Sequence, residues 1–144
     1  MTEQKFRAVI AGGSRDYILS IKRNLEQIGA FERCAVAYSG YEALDKIYSF
    51  HPDLIVTDII LRDLDGLSLL EKVQGCDCVK NSKIVIYTSV DTDSIIRKAF
   101  EYGADFFLIK PTSYDVFHKT IVDLLKLGDS YDQILEGSLE ARIM

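Results

Sequence analysis

The feature that most constrains this chain is an alternation, repeated five times, between a short apolar run and a longer segment whose apolar residues recur three and four apart. A strand buried on both faces reads as a near-continuous apolar run, and an amphipathic helix reads with a period of about 3.6, so the alternation encodes βα units around a parallel sheet. The runs predict strands over Phe6–Ala11, Arg33–Ala37, Leu54–Asp58, Lys83–Thr88 and Phe106–Ile109. With 144 residues the chain fits one domain that buries enough surface to fold without disulfides or a structural metal.

The intervening segments carry helix punctuation. The first, Arg15–Ile28, places Ile18, Ile21, Leu25 and Ile28 on one face and ends at Gly29, a left-handed cap position. Ser39 and Glu42 read as a capping box opening a second helix, which should stop before His51-Pro52. A third is expected over Gly66–Gln74, followed by a loop at Gly75–Ser82. The fourth starts near Asp91–Asp93, ends before Gly103 and should bury Ile95, Ile96, Ala99 and Phe100. The fifth, Tyr114–Leu127, turns Val116, Phe117, Ile121, Leu124 and Leu125 inward and is stopped by Gly128.

Composition narrows the function classes. Twenty-two acidic against 17 basic residues give a net charge of −5, with no basic block to attract nucleic acid or an anionic membrane. Cys34, Cys76 and Cys78 fit neither a disulfide framework nor a zinc pattern and read as reduced thiols. No stretch approaches the roughly 18 apolar residues that span a bilayer, and the expectation is a cytoplasmic protein.

In open parallel sheets the working site lies beyond the carboxyl ends of the strands. Here the first strand runs into Gly12-Gly13-Ser14-Arg15, the third into Asp58, the fourth into Thr88-Ser89 and the fifth into Lys110-Pro111. One alone is unremarkable, since an acid can cap a turn and a lysine can sit in solvent. Three polar groups ending three strands suit packing poorly and suit a site well.

These motifs, Asp58-Ile-Ile-Leu-Arg-Asp-Leu-Asp65-Gly66, Ile86-Tyr-Thr88-Ser89 and Gly103-Ala-Asp-Phe-Phe107-Leu-Ile-Lys110-Pro111, resemble the receiver domains of bacterial two-component response regulators. Among these the chain is most similar to the receivers of the sporulation master regulators of endospore-forming bacteria. The resemblance covers about residues 5–127 and includes the spacing of 30 residues from Asp58 to Thr88 and 22 more to Lys110. It implies an α/β flavodoxin-like (βα)5 fold, doubly wound, with strand order 2-1-3-4-5 in a single domain. It implies Asp58 as phosphoacceptor, Thr88 as switch hydroxyl, Phe107 as rotating aromatic, Lys110 as the charge-balancing cation, Pro111 as a cis-proline and the Ile60 carbonyl as a metal ligand. These types suit phosphoryl transfer, which asks for a carboxylate nucleophile and a hydroxyl and an ammonium on the equatorial oxygens.

One departure bears on mechanism. A conventional receiver ends its first strand with two acids that hold Mg²⁺, and the matching positions are Gly12 and Gly13. Magnesium wants octahedral oxygen coordination, so the degenerate metal site (Gly12, Gly13, Ile60) should bind it weakly or not at all, and no cofactor is expected. Asp58 and Lys110 then sum to zero charge where the usual site carries −2, and a standing salt bridge is expected between them. Leu61-Arg62 replaces the family's Met-Pro, so Arg15 and Arg62, with Ser89, are expected to flank the pocket and favour an anion over a divalent cation.

The organisation expected is a receiver over residues 1–128, with 129–144 as a linker or the start of a missing output domain, since Leu139–Met144 resembles the opening of the DNA-binding domain in sporulation regulators. Expected partners are a second copy, through the fourth helix, fifth strand and fifth helix, and a histidine kinase or phosphotransfer protein. DNA is reached only through an output domain absent from this chain, and no membrane is involved. The leading reading is an atypical, non-enzymatic receiver of a transcription regulator, not switched by Mg²⁺-dependent phosphorylation. A stand-alone module binding a kinase or phosphotransfer partner, and a still-phosphorylatable receiver with weak metal affinity, remain as alternatives.

Overall fold

The computed structural model describes residues 5–127. Five parallel strands, β1 (Phe6–Ala11), β2 (Phe31–Ala37), β3 (Leu54–Thr57), β4 (Lys83–Thr88) and β5 (Phe106–Ile109), form one sheet in the order β2-β1-β3-β4-β5. Five helices alternate with them: α1 (Arg15–Ile28), α2 (Gly40–Phe50), α3 (Gly66–Val73), α4 (Asp93–Glu101) and α5 (Tyr114–Leu125). This is the doubly wound, single-domain architecture expected from the alternation and the resemblance.

Side chains alternate along each strand, so both sheet faces must be covered. Ala8, Ile10, Leu54, Val56, Val85, Tyr87 and Leu108 pack against α1 and α5, while Val9, Ala11, Ile55, Ile84, Ile86 and Phe107 pack against α2, α3 and α4. Among the described residues no helix is long and apolar enough to cross a membrane.

Several boundaries differ from expectation. β2 begins at Phe31, two residues early, because it is the edge strand: exposed Glu32 and Arg33 interrupt its apolar run although Phe6 and Phe31 pair their rings at 6.0 Å. β3 stops at Thr57, which leaves Asp58 just beyond the ladder. The Gly75–Ser82 loop contains a 3-10 turn, Asp77–Val79, whose Cys78 is buried in the core. α3 closes at Val73, and α5 at Leu125 with Lys126 as its left-handed cap; the stop expected at Gly128 lies outside the described residues.

The capping box of α2 forms in modified shape. Ser39 Oγ accepts from the Glu42 amide at 3.1 Å, but Glu42 Oε1 reaches back to the Tyr38 amide at 2.7 Å, one residue earlier than the usual partner. On α4 only Ala99 is buried; Ile95 and Ile96 are half-buried and Phe100 is 38% exposed, contrary to expectation. One residue is 100° of helix, so when Ala99 faces the sheet its successor turns to the flank.

Candidate functional site

The carboxyl rim is assembled by close backbone approaches that fix where Asp58 can point. The Asp58 amide donates to the Ala11 carbonyl at 3.0 Å, tying the residue after β3 to the end of β1. Gly66, the first residue of α3, donates to the Ile59 carbonyl at 2.8 Å, and a Cβ there would collide with the Asp58 carbonyl. Gly40 packs as tightly on Leu64. Two helices thus begin at glycines because the Asp58 loop lies directly against their first turns.

On that support the Asp58 carboxylate is enclosed. Its Oδ1 accepts from Thr88 Oγ1 at 2.6 Å and from the Ile60 amide at 3.0 Å, and its Oδ2 accepts from Lys110 Nζ at 2.9 Å. The Asp58 and Lys110 side chains are 13% and 19% exposed, so the pair is largely shielded from water. A carboxylate offers about four lone-pair directions, and three are taken. Thr88 is fully buried and also receives the Val90 amide at 3.3 Å.

Lys110 has a second set of partners. Its ammonium lies 4.0 Å from the Tyr17 ring centroid and 5.6 Å from that of Tyr87, and the Tyr17 hydroxyl donates to the Tyr87 hydroxyl at 2.9 Å. Burial, then the Tyr87 hydrogen bond, then the nearby Asp58 charge push the Tyr17 phenol far above its ordinary value, so it stays neutral. This tyrosine pair is absent from the sequence reading. Tyr17 sits four residues before Ile21 on α1 and looks like one more core position; only its meeting with β4 and Lys110 gives it a role.

The remaining expected residues fall as follows. Gly12 and Gly13 line a cavity of about 10 Å³, with Tyr17, Asp58, Tyr87 and Lys110 among the other walls. That is room for about one water. Neither glycine has a positive φ, a Cβ at Gly13 would meet nothing, and one at Gly12 would come within 3.2 Å of Ile18. The backbone therefore does not demand glycine at either position. Phe107 is fully buried, Ser89 is exposed, Ile60 is 61% exposed, and the Lys110-Pro111 peptide is cis.

Arg15 does not line the cavity: it is exposed and its guanidinium lies 5.9 Å from the Tyr38 ring centroid. Arg62 is also exposed and outside the lining, its backbone bridging to Ser39. The two arginines expected to flank the pocket are thus drawn to its β2 side, Arg15 by an aromatic face and Arg62 by a backbone bridge.

Residues 9–122 match the response regulator receiver domain family. This chain belongs to that family. Among solved structures, a two-component response regulator from Clostridium difficile is 32% identical with a TM-score of 0.77, over 85% of this chain and 97% of that one. A Francisella response regulator receiver domain is 28% identical with a TM-score of 0.75, over 85% and 98%. A CheY-like receiver domain protein from Methanospirillum hungatei is 25% identical with a TM-score of 0.78, over 86% and 96%. Receiver domains are signalling modules of two-component systems, where they meet histidine kinases or phosphotransfer partners, and the chain is a receiver of that kind.

The residues present do not suit the divalent cation of a conventional receiver. Gly12 and Gly13 bring no side-chain oxygen, Asp58 is committed to three donors, and among the described residues no cluster of three His, Cys, Asp or Glu could hold a metal. Asp16, the nearest other acid in sequence, is exposed on the first turn of α1.

Proposed function

We propose that this receiver is atypical: it acts in transcription regulation of the sporulation type, through an attached output domain or a partner, and is switched by association or a ligand instead of Mg²⁺-dependent phosphorylation of Asp58. The observation carrying this reading is the Asp58 carboxylate held at once by Lys110, Thr88 and the Ile60 amide, beside two glycines that the backbone does not require. A bound metal would neutralise charge developing in phosphoryl transfer, and among the described residues lining this pocket Lys110 is the one cationic side chain that could do so. A lysine already paired with the nucleophile must leave it before it can serve the incoming phosphoryl group.

The association surface that fits the reading is α4 with β5 and α5. It carries exposed Phe100 and half-buried Ile95, Ile96 and Tyr102, edged by Arg97 and Lys98. Apolar side chains rimmed by charge suit a second copy of the chain.

Intact mass after incubation with acetyl phosphate and Mg²⁺, or with a cognate kinase, tests the proposal. The expected mass is unchanged, and Gly12→Asp with Gly13→Asp is expected to restore partial transfer to Asp58. Gly13→Asp enters open space, while Gly12→Asp needs Ile18 to shift by a few tenths of an ångström. Stoichiometric phosphorylation of the unmodified chain would refute it.

A further inference from the structure

A cleft of about 210 Å³ opens between α1 and the start of α5, lined by Tyr17, Ser20, Ile21, Asn24, Tyr87, Thr112, Tyr114 and Phe117. Among the described residues, no ionisable side chain other than tyrosine lines it. Ser20 and Asn24 are half-buried there, and their side chains form no hydrogen bond among the described residues. Tyr17 and Tyr87 share one hydrogen bond, so whichever phenol donates, the pair retains one hydroxyl proton for another acceptor. Four aromatic rings, those of Tyr17, Tyr87, Tyr114 and Phe117, and the Ile21 side chain supply its apolar walls. Polar side chains that no protein group holds, open to solvent beside aromatic walls, leave donors and acceptors available to a ligand.

The cleft is also joined to the Asp58 site. Tyr17, Ile21 and Tyr87 line both spaces, and Lys110, which lines the first space and not the second, sets its ammonium against both tyrosine rings. A ligand that takes the pair's remaining proton acts directly on the phenols whose rings hold Lys110, 4.0 Å from the Tyr17 centroid and 5.6 Å from that of Tyr87.

From this geometry we infer that the α1–α5 cleft binds a small neutral ligand, a single-ring amide or phenol, and that Tyr17 and Tyr87 relay its presence to the Lys110–Asp58 pair. The inference rests on the reading of the chain as a receiver switched by something other than phosphate, and names the chemistry of that signal. Neutrality follows from the uncharged lining, and the ring from the aromatic walls. The size follows from a volume below the roughly 300–1,000 Å³ of pockets for drug-sized ligands.

Titration of isotope-labelled protein, followed by NMR, tests it with benzamide as the neutral probe and benzoate as its charged counterpart. Benzamide at millimolar concentration is expected to shift the amides of Ser20, Asn24 and Thr112, the ring signals of Tyr17, Tyr87 and Tyr114, and the Lys110 side-chain signals, with benzoate at least tenfold weaker. Ser20→Phe, which fills the cleft, and Asn24→Leu, which removes its amide, are expected to lose the response while keeping the parent melting temperature within a few degrees. Equal response to benzoate, or a response that survives both variants, overturns the site. Shifts confined to the cleft with Lys110 unmoved overturn the relay. The phosphorylation assay is independent of these outcomes, so the failure of this site and the failure of the receiver reading are told apart.

Discussion

Replacing Asp58 by asparagine changes charge while keeping shape, and the sign of its effect on stability separates two kinds of site. Where several carboxylates crowd together, neutralising one relieves repulsion and the protein gains stability. Here the carboxylate has a lysine at 2.9 Å and, among the described residues that line its pocket, no second acid, so Asp58→Asn must lose stability. At an effective dielectric near 20 the gross attraction over that distance is about 6 kcal/mol, and the cost of desolvating each ion takes back much of it. Removing one partner of a fully buried pair costs about 3–5 kcal/mol. Lys110 is partly exposed and keeps the Tyr17 and Tyr87 rings, a contact worth about 0.5–2 kcal/mol, which lowers the expectation to about 1–3 kcal/mol.

Asparagine can still accept from Thr88 and Ile60 through its oxygen, but its amide nitrogen then faces the ammonium, donor against donor. For a domain of this size the loss corresponds to a fall in melting temperature of about 4–12 °C. Thermal and urea melts of Asp58→Asn, Lys110→Met and the double variant at neutral pH in Mg²⁺-free buffer provide the measurement. The double-mutant cycle is expected to show a coupling of at least about 1 kcal/mol. An Asp58→Asn variant as stable as the parent, or additive single effects, would show that the pair is not what holds this rim together.

On assembly, sedimentation at tens of micromolar is expected to show a reversible dimer on the order of that affinity, abolished by Phe100→Glu with little change in melting temperature because Phe100 is largely outside the core; a purely monomeric parent refutes it. Burial pushes the Cys34 thiol up to about 11 and the Cys78 thiol up to about 12, from an ordinary 9.0. Above pH 9 the unfolded chain sheds these protons while the folded chain keeps them, so the stability they supply is full below pH 9 and is lost as pH rises toward 12. Urea midpoints are expected to fall between pH 8 and 10.5, less so in the Cys34→Ser variant, and a midpoint that rises over that range contradicts the assignment.

The sequence by itself determined the topology and the cast of the rim. Five apolar runs with helical segments between them leave few arrangements other than a doubly wound parallel sheet, because handed crossovers and two-sided burial remove the rest. Strand ends then place Asp58, Thr88 and Lys110 together before any coordinate is known, and the absence of acids at Gly12 and Gly13 is visible in the letters alone. These are facts of order along the chain, and period and spacing report them directly.

What only the tertiary structure decided is where side chains turn once the elements meet. Phe100 follows a buried alanine and rotates out to the flank, although its helix reads as amphipathic through that position. Arg15 lies against Tyr38 on the side of β2, away from the pocket that its place in the sequence suggests. Tyr17 and Tyr87 are 70 residues apart, and nothing in either neighbourhood marks them as a pair. They meet because the register of β4 and the packing of α1 bring two phenols within hydrogen-bonding distance beneath one lysine, and contacts of that range follow from how helices seat on a sheet, which no local pattern records.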